Sequence, residues 1–267
     1  MSNIHPTAVI DPTAKIDPST VIGPFTVIGA DVQIGKNNRI GPHCVIENTT
    51  MGDNNELIAS AFIGVKPQDL SYKDEHTRVV IGNGNKIREC VTIHRSTFVD
   101  DPTTLGDNNL LMANSHLAHD VHMGNNCIVA NCSGLAGHIR VEDRVIISGL
   151  VGMHQFIRIG TMAMISGGSM TVLDVPPYCI AQGDRARLVG LNIVGLRRAG
   201  FDRKVILEIT RAFKRMFRSG KRLEEAMAEL EAAPHCKEVQ HMIDFCRASK
   251  RGIAPAKKSL HEANDDE

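Results

Sequence analysis

Lys15 to Ile46 reads KIDPSTVIGPFTVIGADVQIGKNNRIGPHCVI, with isoleucine at 16, 22, 28, 34, 40 and 46. The period of six extends on both sides. Ile4 and Ile10 precede the stretch, and Met51, Leu57 and Ile63 follow after a one-residue slip. It resumes at Ile81 and continues through Ile87, Ile93, Val99, Leu105, Leu111, Leu117, Met123, Val129, Leu135, Val141, Ile147, Met153, Ile159 and Ile165. A helix repeats its buried face about every 3.6 residues and a half-buried strand every second residue, so a period of six is neither. It belongs to a solenoid: three hexads make one triangular coil, and the aliphatic side chains stack inside a parallel β-helix. Glycine follows the isoleucine at 22, 28, 34 and 40, where a missing side chain lets the backbone turn a corner.

The composition fits a narrow aliphatic prism, with no Trp, 2 Tyr and 8 Phe in 267 residues. Lys and Arg number 30, as do Asp and Glu, and this balance argues against a general binder of nucleic acid or membrane surfaces. The first residues, MSNIHPTAVIDPTA, lack an apolar signal core, and no long apolar run follows. Neither export nor membrane spanning is expected, and the cytoplasm is the expected compartment. The 7 cysteines, without a Cys-x-x-Cys, fit reduced thiols there.

Three departures divide the chain. Residues 64–76 are too polar to stack inside and should bulge as a loop, the kind of segment that carries specificity. The polar stretch Asp100 to Thr104 keeps the register but opens the wall. After Val172 the pattern ends in Asp174-Val175-Pro176-Pro177-Tyr178, whose prolines cannot donate ladder hydrogen bonds. Beyond Gly200 the apolar spacing turns helical, with Asp202 as N-cap, Gly220 as stop, and two more helices near 223–231 and 238–249. The expected organisation is a β-helix domain over 1–190, a small α-helical domain over 191–252 and a disordered tail over 253–267.

In a coil of three hexads, residues eighteen apart stack at the strand spacing of about 4.8 Å. Leu117, Leu135 and Met153 therefore share a wall, which brings His119, His138 and His154 toward one edge, with His116 one corner away. Such a histidine ladder has two uses. One is a zinc site of three imidazoles with an open fourth position, as in a metal-dependent hydratase. The other is general-base catalysis, in which a carboxylate sets the tautomer of a neutral imidazole. Asp120 directly follows His119, and His116-x-x-His119-x-x-His122 is not the spacing expected of the hydratases, which favours the base.

Asn114-Ser115-His116-Leu117-Ala118-His119-Asp120, Leu135-Ala136-Gly137-His138, Met153-His154-Gln155-Phe156, Asp174-Val175-Pro176-Pro177-Tyr178 and Ile180-Ala181-Gln182-Gly183, in that order, resemble the UDP-N-acetylglucosamine acyltransferases that begin lipid A synthesis. The resemblance covers about residues 3 to 250. It implies a left-handed β-helix, a homotrimer with sites between subunits, and transfer of a 3-hydroxyacyl chain from acyl carrier protein to the 3-position of UDP-N-acetylglucosamine, with no cofactor and no metal. It implies His119 as base, Asp120 as its orienter and the Gly137 backbone N–H as oxyanion donor. It further implies His116, His138, His154 and Gln155 around sugar, acyl chain and nucleotide, Asn192 and Arg198 at the nucleotide phosphates, and Asp69 at the acyl hydroxyl. Gly167 falls at the position that measures acyl length, with Met170 as its alternate.

The chain departs from the pattern at Ser71, where the family carries a lysine, with Lys73 two residues on, and at Ala199, where it carries a second basic residue. That departure keeps a 3-amino UDP-sugar open as the acceptor. Between Arg197 and Arg222 ten basic residues face two acidic ones, a surface suited to an acidic acyl carrier protein and lacking the aromatics of a nucleic-acid site.

Overall fold

The computed structural model describes residues 3–257. Strands of two to five residues wind into three flat walls. The first wall has nine strands, from Val9–Ile10 to Met170–Thr171; the second has eight, from Lys15–Ile16 to Arg158–Ile159; the third has ten, from Val21–Ile22 to Arg187–Leu191. Pairing is parallel and follows the hexads: Leu117 lies on Leu135 and Leu135 on Met153. The slip is real, since Ile34 pairs with Met51 and the ladder continues from Met51 to Ile81. Hexad residues from Ile22 to Ile165 fill the prism, most of them less than 5% exposed.

Val99 is a correction. It is 58% exposed beside Phe98 at 56%, and Ile81 pairs directly with Leu105 as Ile93 does with Leu117. An extra hexad leaves the coil as an outward loop around residues 97–102, which preserves the count while removing Val99 from the core.

A second column, polar and invisible to a hydrophobic count, runs along one inside corner. The Asn55 amide donates to Asn38 Oδ1 at 3.0 Å, Asn85 to Asn55 at 2.9 Å and Asn109 to Asn85 at 3.0 Å. Each amide also caps a glycine carbonyl of the turn. The buried amides are thus satisfied by one another and by the turn.

The third wall ends in its one antiparallel pair, Cys179–Gln182 against Arg187–Leu191. Among the described residues four helices follow: α1 (Ile193–Arg198), α2 (Arg203–Arg218), α3 (Leu223–Glu231) and α4 (Lys237–Arg247). Asp202 caps α2 by accepting from the Lys204 N–H at 2.6 Å, and Gly220 takes a left-handed φ of 74° just beyond its end. Ile209, Met216, Met227, Met242, Ile243 and Phe245 form a second apolar core, while Phe213 packs with the prism. Glu142 accepts from His241 Nε2 at 2.7 Å, and the Arg158 guanidinium lies 4.2 Å over the Phe245 ring, so α4 is tied to the second wall.

Residues 253–257 depart from the expected disordered tail. Ala254 is 1% exposed, its N–H donates to Asp174 O at 2.9 Å, and Lys257 N–H donates to Leu188 O at 2.8 Å. The free edges of the last coil recruit them as a strand-like cover. The remainder of that tail lies outside the described residues. Among the described residues no helix is long and apolar enough to cross a membrane.

Candidate active site

The corner between first and second walls places Asp120, His138 and Phe156 one above another, with φ of 59°, 62° and 66°. L-residues pay about 1 kcal/mol or more for that left-handed conformation. Only a turn repeated on every coil holds three such residues in register.

His119, just before the turn, is 7% exposed. Its Nδ1 lies 2.7 Å from Asp120 Oδ2. Asp120 also accepts from the Thr97 N–H and hydroxyl, each at 2.8 Å. Burial pushes the Asp120 carboxyl up, but the hydrogen bonds from His119 and Thr97 outweigh it and leave the group below the usual carboxylate range. An ionised Asp120 makes Nδ1 the protonated nitrogen and leaves the lone pair on Nε2. Gly137 packs flat on this ring, where a Cβ would come within 2.5 Å of Cε1 and 2.8 Å of Nε2. Among the described residues the buried Gly137 N–H has no hydrogen-bond partner.

The polar loop delivers Asp69. Its Oδ1 accepts from the Ser71 N–H and hydroxyl at 2.8 and 2.7 Å, which turns Oδ2 toward His119 Nε2 at 3.9 Å. Those bonds hold the Asp69 carboxyl below its usual range. Arg95, only 8% exposed, ties the loop down through Gly64 O and the Tyr72 hydroxyl. One donor atom each from Asp69, His119 and His138 lie within 4.8 Å of one another. The cluster is therefore geometrically able to accept a proton or to hold a cation.

His138 meets His119 edge to face, with centroids 5.1 Å apart, and stacks on Phe156 at 4.4 Å. Burial lowers its pKa. His116 bonds to the Thr92 hydroxyl at 2.7 Å, and burial lowers its pKa too. His94 abuts His116 edge-on at 4.8 Å, and burial takes its pKa down to about 4.

The ladder is thus shorter than the spacing suggests. His154 and Gln155 are exposed, and the His154 Nδ1 bonds Arg251 at 2.8 Å instead of joining the other rings. Asn192 caps α1, accepting from Gly195 N–H and donating to Met162 O, both at 3.0 Å. Arg198 is exposed at the end of α1. Gly167 is exposed, with Gly149 O 3.4 Å from where a Cβ would stand. Met170 lies on Gly152, which lies on Gly134, which lies on His116. A cleft of about 710 Å³ opens beside Asp120 and His138 and runs past Arg140 and Arg158 to Arg251. Thr97, Arg95 and His94 are absent from the sequence reading. Thr97 lies in the extra loop that the hexad count absorbed, and no local motif marks the other two.

Residues 174–254 match the family described as Udp N-acetylglucosamine O-acyltransferase, domain 2, and residues 102–137 match the bacterial transferase hexapeptide of six repeats. Residues 4–68 match the GMPPB C-terminal domain. The chain is 45% identical over 205 residues to an acyl-[acyl-carrier-protein]–UDP-N-acetylglucosamine O-acyltransferase of Nautilia profundicola, covering 76% of this chain and 79% of the relative. Its counterpart in Myxococcus xanthus is 49% identical over 208 residues, covering 77% and 80%. The Acinetobacter baumannii LpxA structure superposes with a TM-score of 0.91 at 42% identity, over 94% of this chain and 99% of that one. A UDP-N-acetylglucosamine acyltransferase of Bacteroides fragilis superposes equally, at 0.91 and 43% identity over 93% and 98%. The coil accordingly winds as a left-handed parallel β-helix, against the usual hand of strand crossovers.

Proposed function

The chain belongs to the acyl-[acyl-carrier-protein]–UDP-N-acetylglucosamine O-acyltransferase family, and from that premise we propose that His119, Asp120 and Gly137 carry out its reaction. A 3-hydroxyacyl chain passes from acyl carrier protein to the 3-hydroxyl of UDP-N-acetylglucosamine, the first step of lipid A synthesis. The observation that carries the assignment is the 2.7 Å bond from His119 Nδ1 to Asp120, which aims a free Nε2 past Gly137. Nε2 takes the proton of the sugar hydroxyl as its oxygen attacks the thioester carbonyl. The oxyanion that forms meets the unpartnered N–H of Gly137. The intermediate collapses, the C–S bond breaks, and the departing thiolate takes the proton back from His119. General-base terms are worth about 10²–10⁴ in rate, and one oxyanion donor about 10²–10³.

Asp69 reaches the acyl hydroxyl, with Ser71 bracing it. His116 and His138, whose pKa values desolvation lowers, line the sugar and acyl positions. His154, Gln155, Asn192 and Arg198 serve the nucleotide. As the family resemblance implies, a neighbour completes each site in a homotrimer of three times 29.1 kDa, about 87 kDa. Gly134, with open space where a Cβ would stand, gives the acyl chain room beside His116, and the Met170 side chain covers Gly152 one coil further on; Gly167 and Met170 measure its length. Arg203, Arg211 and Lys214 are exposed and make no ion pair among the described residues, while Arg215 pairs with Glu229 and Lys221 with Glu229 and Glu225. That remaining positive face suits an acidic acyl carrier protein.

Incubation with UDP-N-acetylglucosamine and a panel of 3-hydroxyacyl carrier proteins tests the reading by product mass. An O-acylated nucleotide sugar is expected. Its absence with every donor overturns the proposal.

A further inference from the structure

A base preorganised in this way is also a metal ligand preorganised. We infer that Asp69, His119 and His138 form a three-donor site for a zinc-class divalent cation, and that filling it stops the transfer; the second half rests on His119 acting as the base.

Three features carry the site. The donors converge, with one atom each of the three residues inside 4.8 Å of the others and the pair His119 Nε2 to Asp69 Oδ2 at 3.9 Å. Two ligands of one zinc, each bound at about 2.0–2.2 Å, stand only slightly closer than that. Asp69 arrives on a loop outside the walls, so a small side-chain approach closes the set without moving the β-helix.

Asp120 then supplies what a zinc histidine needs behind it. Its carboxylate holds the His119 Nδ1 at 2.7 Å and lies 3.6 Å from His138 Nδ1. Such a carboxylate fixes the ring and raises the basicity of the other nitrogen, and losing it typically costs 10–100-fold in metal affinity. Phe156 locks His138 from outside, its ring parallel within 4° at 4.4 Å.

The donor set selects the ion. Two imidazoles and one carboxylate favour Zn²⁺ and its neighbours over Mg²⁺ or Ca²⁺, which ask for more oxygens. Three protein ligands leave the fourth position to water on the cleft side. Coordination uses the Nε2 lone pair that the sugar hydroxyl proton needs, so metal and reaction exclude each other.

Titration of chelator-stripped protein with Co²⁺, followed by its visible absorption, and with Zn²⁺ in competition tests both halves. One ion per chain is expected, with affinity at least about tenfold weaker in Asp69→Asn and in His138→Ala and unchanged in His154→Ala. Melting curves confirm that the variants are folded. Zinc should inhibit turnover of the native enzyme over the concentration range in which it binds, and chelator should restore it. No binding, or binding that survives both variants, overturns the site. Binding at the cluster without inhibition overturns the block and removes His119 as base, leaving the site standing.

Discussion

Gly137 lies against the face of His119 so closely that a methyl group on its α-carbon would come 2.5 Å from the ring Cε1. Backbone dihedrals do not forbid alanine here, since Gly137 is not among the left-handed glycines. The cost therefore falls on the ring, which Asp120 will not release. Gly137→Ala should lower kcat by about 10²-fold, the scale of an ångström-sized misplacement of a catalytic group, with the fold retained by circular dichroism. Full activity in the folded variant removes Gly137 from the site.

His119→Ala should reduce turnover by roughly 10²–10⁴ while solution mass by light scattering stays near that of the native protein. Asp120→Asn should cost less, because an amide still fills the corner and bonds Thr97. Near-native turnover in His119→Ala refutes the assignment.

Acyl length should respond at the top of the first wall. Met170 is 44% exposed, and its Sδ sits 2.7 Å from where a Gly152 Cβ would be. With Gly167 open, the native donor is expected to be long, roughly twelve to fourteen carbons, since each methylene with room contributes about 0.8 kcal/mol. Gly167→Met should move the preference a few carbons shorter in competition assays with mixed donors. An unchanged preference places the ruler at Met170, where Met170→Ala should lengthen it.

The Glu142–His241 pair predicts a pH signature in the docking of α4. Burial raises the Glu142 carboxyl, but the bond from His241 and those from Thr161 bring it below 4.5; the bond to Glu142 raises His241 above 6.5. The carboxylate's contribution is present above about pH 4.5 and lost as pH falls through its folded value. The imidazolium's is complete below about pH 6.5 and lost as pH rises through its folded value. The coupling between Glu142→Gln and His241→Gln should then peak near pH 5.5. With His241 at 42% side-chain exposure, its size is about 0.2–1 kcal/mol. Equal coupling at about pH 5.5 and 8.5, from paired melting curves, contradicts the linkage.

Much of the architecture is legible because a prism core forces one aliphatic side chain per side of every coil, so Ile34, Met51 and Ile81 could be stacked from the sequence despite a slip and a long insertion. Val99 shows the limit. Six looped-out residues preserve the count as well as six wound-in ones do, and only strand pairing tells them apart. The contact of His119 with Asp120 follows from adjacency and the coil repeat. His154 does not join it, because a ring one residue after Met153 and one three residues after Leu135 leave the turn at different points. His94 and Thr97 owe their places to the looped-out hexad, and Asn38, Asn55, Asn85 and Asn109 to a polar column that no hydrophobic pattern encodes.

The antiparallel return of Arg187–Leu191 has a consequence at the scale of many molecules. A stack of parallel coils is a template that another copy could in principle extend, rung on rung, into a fibre. At this end the last strand of the third wall runs the wrong way for a further coil. Its Leu188 is already bonded on the outer side, giving its N–H to Pro255 O at 2.9 Å and accepting from Lys257. The chain's own late residues thus act as a terminator for filament growth, and a truncation before Ile253 would hand that edge to its neighbours.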